Sequence, residues 1–138
     1  MIPPDHVTAL APRAELERVL AEALAPDAAR PVAIAMCDVV GLKEVNERDG
    51  FRAGDTVLAT AAAAARQAAG DAAIVARLGG DEMVAVFTGP GAPAAADRTA
   101  RDLAAATAPR LRAAAAIAER NDTPGTIIDR LYAALRAS

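Results

Sequence analysis

The sequence predicts an α/β fold of the α+β kind: a central mixed sheet with a β-hairpin, flanked by helices. Three observations predict it. Helix-like and strand-like segments alternate as α-β-α-α-β-β-α, followed by one ambiguous segment and a last helix, with no repeat or internal linker. Two strand-like runs are separated only by "LGGDE", which reads as a hairpin turn. The 138 residues suit one compact domain, residues 1–138, whose core must be Ala, Val, Leu and Ile, because 54% of the chain is apolar but only 2% aromatic. Small side chains bury little area each, so elements must approach closely and stability should be modest.

The elements follow in order. In "PRAELERVLAEAL", Leu16, Val19, Leu20 and Leu24 recur at helical spacing and predict an amphipathic helix at about 13–25. "APDAARP" breaks it. "VAIAMCD", 32–38, is a buried strand ending in an acid. "GLKEVNERDG", 41–50, sets Leu42 and Val45 on one face of a short helix stopped by Gly50. A strong helix follows at about 55–69, with Asp55 near its start and Gly70 closing it. "AAIVAR", 72–77, and "MVAVF", 83–87, are the hairpin strands. "TGPGAP" is a loop whose lone GxG beside prolines is not a phosphate loop, and "AAADRTARDLAAATA" is a helix ended by Pro109. "LRAAAAIA", 111–118, fits strand or helix, since alanine is a poor strand former. The last helix starts with a Thr123 cap and Pro124 at its first position.

Charge and composition exclude several classes. The net charge is −3 with acids and bases interleaved, which gives no basic patch and no aromatic platform for nucleic acid. The one cysteine, Cys37, rules out an internal disulfide and a CxxC metal site, and the one histidine, His6, rules out a His cluster. "MIPPDHVTAL" has neither the basic nor the apolar region of a signal peptide, and the alanine run 59–65 is too short to span a bilayer. A cytoplasmic protein without membrane contact is expected.

Three acids carry the chemical interest. Asp38 ends a buried strand, while Asp81 and Glu82 sit at the hairpin tip. If those strands are neighbours, the carboxylates meet at one sheet edge and repel unless a cation lies between them. Oxygen ligands without His or Cys suit Mg²⁺, with Mn²⁺ as an alternative, and Gly79 and Gly80 would let phosphate oxygens approach the backbone. That combination favours metal-assisted phosphoryl or nucleotidyl transfer. An ordinary turn with solvated acids is the plainer alternative, and Asn46 and Asp55 taken alone are turn and cap residues.

The motif "RLGGDEM" resembles the signature of GGDEF domains, the diguanylate cyclases of bacterial cyclic-di-GMP signalling. The family pattern D-x-D-x-F-K-x-x-N-D-x-x-G-H-x-x-G-D-x-x-L is matched by "DVVGLKEVNERDGFRAGDTVL", with Asp38, Lys43, Asn46, Gly50, Gly54, Asp55 and Leu58 in register. "DHVTALAPR", Asp5 to Arg13, is similar to the family's N-terminal D-x-L-T-G-L-P-N-R. The resemblance implies a palm-like sheet in which two GTP molecules, held by two antiparallel domains, condense to cyclic-di-GMP. Carried over by position, Asp38, Asp81 and the Val39 carbonyl would hold Mg²⁺, and Asn46 and Asp55 would bind the guanine edge. Gly79 and Gly80 would lie against the phosphates, and Glu82 would help activate the ribose 3′-hydroxyl.

Departures from the pattern temper this. Val40 replaces an acid, Leu42 an aromatic residue, Phe51 a histidine and Met83 a phenylalanine. In the C-terminal third the strand and clamp motif are shortened: "AAIAE", 115–119, stands for S-I-G-V-A, Leu135 stands where a phosphate-binding lysine belongs, and the family's arginine falls beyond Ser138. Arg130 or Arg136 would have to substitute. The product-inhibition motif R-x-x-D reads "GDAA", 70–73, so no such inhibition is expected. No dimerising segment precedes Asp5, so a homodimer, at least a transient one, would form unaided or through a partner. The expectation is a weak Mg²⁺-dependent diguanylate cyclase. The alternatives are a degenerate domain that binds GTP or another nucleotide and signals through protein contacts, and a purely structural interaction domain.

Overall fold

The computed structural model describes residues 3–138; residues 1 and 2 of the expected span lie outside them. The elements are α1 (Arg13–Ala23), β1 (Val32–Val39), α2 (Leu42–Asp49), α3 (Phe51–Ala69), β2 (Ile74–Arg77), β3 (Glu82–Thr88), α4 (Ala92–Ala104), β4 (Leu111–Ile117) and α5 (Pro124–Ala137). Helices and strands thus fall in the expected order. The four strands form one sheet in the order β2-β3-β1-β4. Where a mixed sheet was expected, all three ladders are antiparallel, and the one parallel pairing among the described residues is the single bridge Ala11–Ala76.

Alternation along β1 sorts the core into two layers. Val32, Ile34 and Met36 pack with Leu16 and Leu20 of α1 and with Ile127, Leu131 and Leu135 of α5. On the other face Cys37 and Val39 meet Leu58, Ala61, Ala62 and Ala65 of α3, and Ala33 and Ala35 meet Ala92 and Ala96 of α4. Both faces of β1 are covered, so all eight of its residues are buried. A continuous apolar run is what such a strand requires.

Two expected helix boundaries move by about a turn, while β2 starts at Ile74 and α1 ends at Ala23, each slightly inside its expected span. The long helix starts at Phe51, directly after Gly50, so Asp55 lies in its second turn and caps nothing. The helix expected to run to Pro109 ends at Ala104. The ambiguous segment is strand β4, paired with β1 from Val39–Leu111 to Ala33–Ile117. Pairing with a central strand overrides alanine's weak preference, and the small side chains let α4 lie against this edge. Thr123 caps α5 as expected, accepting a hydrogen bond from the Thr126 amide at 3.2 Å.

The N-terminal segment covers the opposite edge and ties down the hairpin. Ala11 exchanges backbone hydrogen bonds with Val75 and Arg77 at 3.1 and 2.9 Å, which occupies the exposed side of β2. Asp5 accepts from the amide and hydroxyl of Thr8 at 2.8 and 2.7 Å and pairs with Arg77 at 3.1 Å. Arg77 also donates to the carbonyls of Gly79 and Gly80 at 3.3 and 2.7 Å, so one side chain links the first turn of the chain to the hairpin tip. Among the described residues, no helix is long and apolar enough to cross a membrane.

Two outcomes are expected. Leu131, fully buried between α5 and β1, should cost about 2–5 kcal/mol when cut to alanine, read as a lower urea midpoint at unchanged slope. Asp5 and Asp122 are both held below the ordinary carboxylate range: burial pushes each upward, but hydrogen bonds and an arginine partner outweigh it. A lowered folded-state value stabilises above the unfolded-state value of about 4 and is lost as the pH falls through the folded one. The urea midpoint should therefore drop on acidification below about pH 4, and less steeply in the double variant Asp5→Asn, Asp122→Asn.

Candidate active site

The register of the sheet decides which charges meet. At one end of the sheet Asp38 of β1 stands opposite Glu82 of β3 on one side and Arg112 of β4 on the other. Three adjacent strands thus carry a row of basic, acidic and acidic side chains. Arg112 grips Asp38 with two nitrogens, Nε to Oδ1 at 3.0 Å and Nη2 to Oδ2 at 2.5 Å. Asp38 is only 8% exposed, whereas the Arg112 side chain is 45% exposed. The pairing raises the arginine's pKa, chiefly through the hydrogen bond to Asp38. At the other end of the row the Tyr132 hydroxyl, from α5, donates to Glu82 Oε1 at 2.9 Å. Burial first, and then the bond to Glu82, push the phenol up to about 12, so it stays a proton donor at neutral pH.

Asp81 sits beside this row, in the turn 78–81 that joins β2 to β3. Its main-chain carbonyl accepts from the Val39 amide at 3.3 Å, which sets the turn against the end of β1. Burial raises the pKa of Asp81, and the charges of Asp38 and Glu82 raise it further; Arg112 only partly offsets them. The three acids therefore share one end of the sheet with more negative charge than the cations at hand neutralise.

Asp81 and Gly80 also line a cleft of about 500 Å³ between the turn and helices α2 and α3, whose walls include Asn46, Asp55, Lys43, Arg77 and Phe51. Of the residues singled out in the sequence, the cleft gathers Asn46, Asp55, Gly80 and Asp81. Asp38, Val39 and Glu82 do not line the cleft: the two acids lie in the strand row next to Asp81, and Val39 is buried. Gly79 lies outside the cleft wall, where a Cβ would stand 2.2 Å from Glu82 Oε1. This glycine makes room for the site's own carboxylate, while nothing crowds Gly80 within 4 Å. Gly54 acts the same way: its missing Cβ would fall 1.7 Å from Asn46 Oδ1, so it admits the Asn46 amide against α3.

Sequence reasoning missed Arg112, Tyr132, Arg77 and the placement of Phe51, whose ring is 77% exposed on the cleft wall. A lone charged residue among the alanines of 111–117 was the only signal for Arg112, and its partner depends on the register. Of the two arginines expected to replace the lost clamp, Arg130 is bound to Asp122 and to the Ile117 carbonyl, both at 2.8 Å. Ile117 closes β4 at the end of the sheet away from Asp38, so Arg130 serves the wrong end. Leu135 is buried in the α1/α5 layer, as an apolar residue in place of a lysine must be.

The arrangement offers a divalent ion two hard carboxylates, Asp38 and Asp81. Among the described residues no group of three His, Cys, Asp or Glu side chains is placed to hold a metal alone. One or two carboxylates with ligand phosphates are what Mg²⁺ usually takes. The crowding of negative charge on Asp81 also fits a cation, so the residues suit the group.

Comparison with known proteins agrees with the geometry. Residues 3–123 match the family described as "Diguanylate cyclase, GGDEF domain". Diguanylate cyclase TpbB of Pseudomonas aeruginosa strain UCBPP-PA14 is 39% identical over 85 residues, which are 60% of this chain and 20% of TpbB. The chain spans a fifth or less of the length of the curated relatives it matches. The structure of a TpbB variant from strain PAO1 comprising only its GGDEF domain superposes with a TM-score of 0.78 at 30% identity, covering 97% of this chain and 87% of that one. The GGDEF domain of DgcB from Caulobacter crescentus, solved with c-di-GMP, shares the fold at a TM-score of 0.79 and 22% identity, covering 100% and 90%. With its palm-like sheet, its glycine turn at the mouth of the cleft and a family match over most of its length, the chain belongs to the GGDEF domain family.

Proposed function

We propose that residues 1–138 form a single GGDEF-like domain that condenses two GTP molecules to cyclic-di-GMP, as a weak cytoplasmic diguanylate cyclase. In each of two steps the 3′-oxygen of one nucleotide attacks the α-phosphorus of the other, the hydroxyl proton leaves to a base, and pyrophosphate departs. The observation that carries this reading is Asp81: one turn holds it both in the wall of a nucleotide-sized cleft and beside the carboxylates of Asp38 and Glu82.

The residues divide the work by position. Asn46 and Asp55, on adjacent helices, present a donor and an acceptor to a guanine edge, and Phe51 offers an apolar ring at the rim. Gly80 leaves the backbone open to phosphate oxygens. Asp38, Asp81 and the Val39 carbonyl would hold Mg²⁺ or Mn²⁺, which when bound supplies charge neutralisation at the transferring phosphoryl group. Glu82 stands beside them as the base for the 3′-hydroxyl, oriented by Tyr132. One cleft holds one nucleotide, so two copies must face each other, at least transiently, for the 3′-oxygen to reach its target. Residues 70–73 carry no arginine, so product inhibition through that motif is not expected.

The second reading, a nucleotide-binding module without turnover, is favoured by one specific observation: Asp38 is already paired with Arg112. Incubation with Mg²⁺ and GTP separates the two. Formation of cyclic-di-GMP with release of two pyrophosphates per product, lost by about 100-fold or more in Asp81→Asn at an unchanged melting temperature, is the outcome expected of the enzyme. Saturable GTP binding without product would leave the module, and no binding at millimolar GTP would leave a structural role only.

A further inference from the structure

We propose that Arg112 is the phosphate-binding cation of this site: it holds Asp38 in the nucleotide-free protein and moves to the triphosphate when Asp38 takes a divalent ion. This rests on reading the cleft and its flanking acids as a metal–nucleotide site.

The argument begins with the inventory of charge around Asp81. Asp38, Asp81 and Glu82 supply three carboxylates at one end of the sheet, and a nucleoside triphosphate would add several more negative charges. Cations that face this point must be few and free to move. Arg77 is not free: its guanidinium is divided among Asp5 and the carbonyls of Gly79 and Gly80, where it holds the turn. Lys43 lies on the far wall of the cleft, on α2, with its charge in solvent and Glu47 at 4.0 Å. Arg112 alone among these is in direct contact with the acid row, and Asp38 is its one hydrogen-bonding partner.

The exposures of the two partners differ in a way that suits an exchange. Asp38 is fixed at the end of a fully buried strand, whereas nearly half of the Arg112 side chain is in solvent. A partner on β4 reaches Asp38 across one strand spacing, so its guanidinium can turn outward without any change in the sheet. The same planar fork that grips a carboxylate with two nitrogens matches a phosphate group equally well. Paired in this way, Arg112 keeps the low-exposure Asp38 from standing alone, and it would compete with a metal ion for that carboxylate. With ion and nucleotide both bound, Asp38 would be held by the ion, and the guanidinium of Arg112 would be released to pair with phosphate oxygens. The pairing is therefore unfavourable for the ion alone and favourable for the ion with its nucleotide.

This predicts effects of opposite sign from a single substitution. In Arg112→Ala, Mn²⁺ alone, titrated calorimetrically into the full chain, should bind several-fold more tightly, because its competitor is gone. Its stabilising shift of the melting temperature should be larger than in the unaltered protein. Mg²⁺ with 3′-deoxy-GTP, which lacks the attacking hydroxyl and cannot turn over, should bind about 10-fold or more weakly. Arg112→Lys, which keeps the charge without the fork, should recover part of the nucleotide affinity and serves as the test if the alanine variant does not fold. Equal weakening of both ligands, or no change in either, in a variant that melts cooperatively would overturn the role of Arg112 while leaving the site intact. Failure of the unaltered protein to bind either Mn²⁺ or the nucleotide would overturn the metal–nucleotide reading, and this inference with it.

Discussion

β1 is buried on both faces along its whole length and carries a carboxylate, Asp38, next to its last residue, and the rest of the site follows from that constraint. Two helical layers clamp the strand, with Ile34 and Met36 against α1 and α5 and Ala33, Ala35 and Cys37 against α3 and α4. A slip of one residue would turn every one of these side chains to the wrong layer. The register is thus pinned by packing far from the chemistry, and it delivers Asp38 between Glu82 and Arg112 at the sheet end. The acids are held close by hydrophobic burial rather than by attraction for one another, which is why the raised pKa of Asp81 can persist.

Small residues do two different jobs in this chain. Along α3 and α4 the alanines let helices approach a sheet almost without aromatic side chains, giving a thin, tightly apposed core. At Gly54 and Gly79 the missing Cβ instead admits a polar side chain of the site, Asn46 in one case and Glu82 in the other. Both glycines support neighbouring groups before any ligand is considered. Of the two glycines in the turn 78–81, Gly80 is the one left open in the way a phosphate-facing backbone would need.

Charge is handled by pairing at the ends of elements. Arg77 spans from Asp5 to the hairpin tip, Arg112 covers Asp38, and Arg130 joins the Ile117 carbonyl to Asp122 at the remote end of β4. Arg77 and Arg112 bridge segments far apart in sequence, so the conformation of the turn 78–81 depends on a residue more than seventy positions upstream. Cys37 belongs to the packing, with burial followed by the charges of Asp38 and Asp81 pushing its thiol up to about 12.

Local chemistry alone determined a good part of this protein. The helical spacing of Leu16 and Leu20, the apolar run of β1, the glycine turn and the Thr123–Pro124 start of α5 all act within a few residues, so the letters suffice to read them. The order of Asn46, Asp55 and the glycine turn was legible for the same reason, and the cleft gathers them because α2, α3 and the hairpin meet there. Tertiary structure alone decided the rest. β4 is a strand because β1 offers it an unpaired edge, not because alanine prefers one, and Asp55 moved inside α3 because the helix could restart at once after Gly50. The grip of Arg112 on Asp38 spans 74 residues and rests on a register between non-consecutive strands. Hydrogen bonding and side-chain spacing within one element are encoded by neighbours in the chain, whereas a contact between distant segments exists only once the core has chosen how they pair.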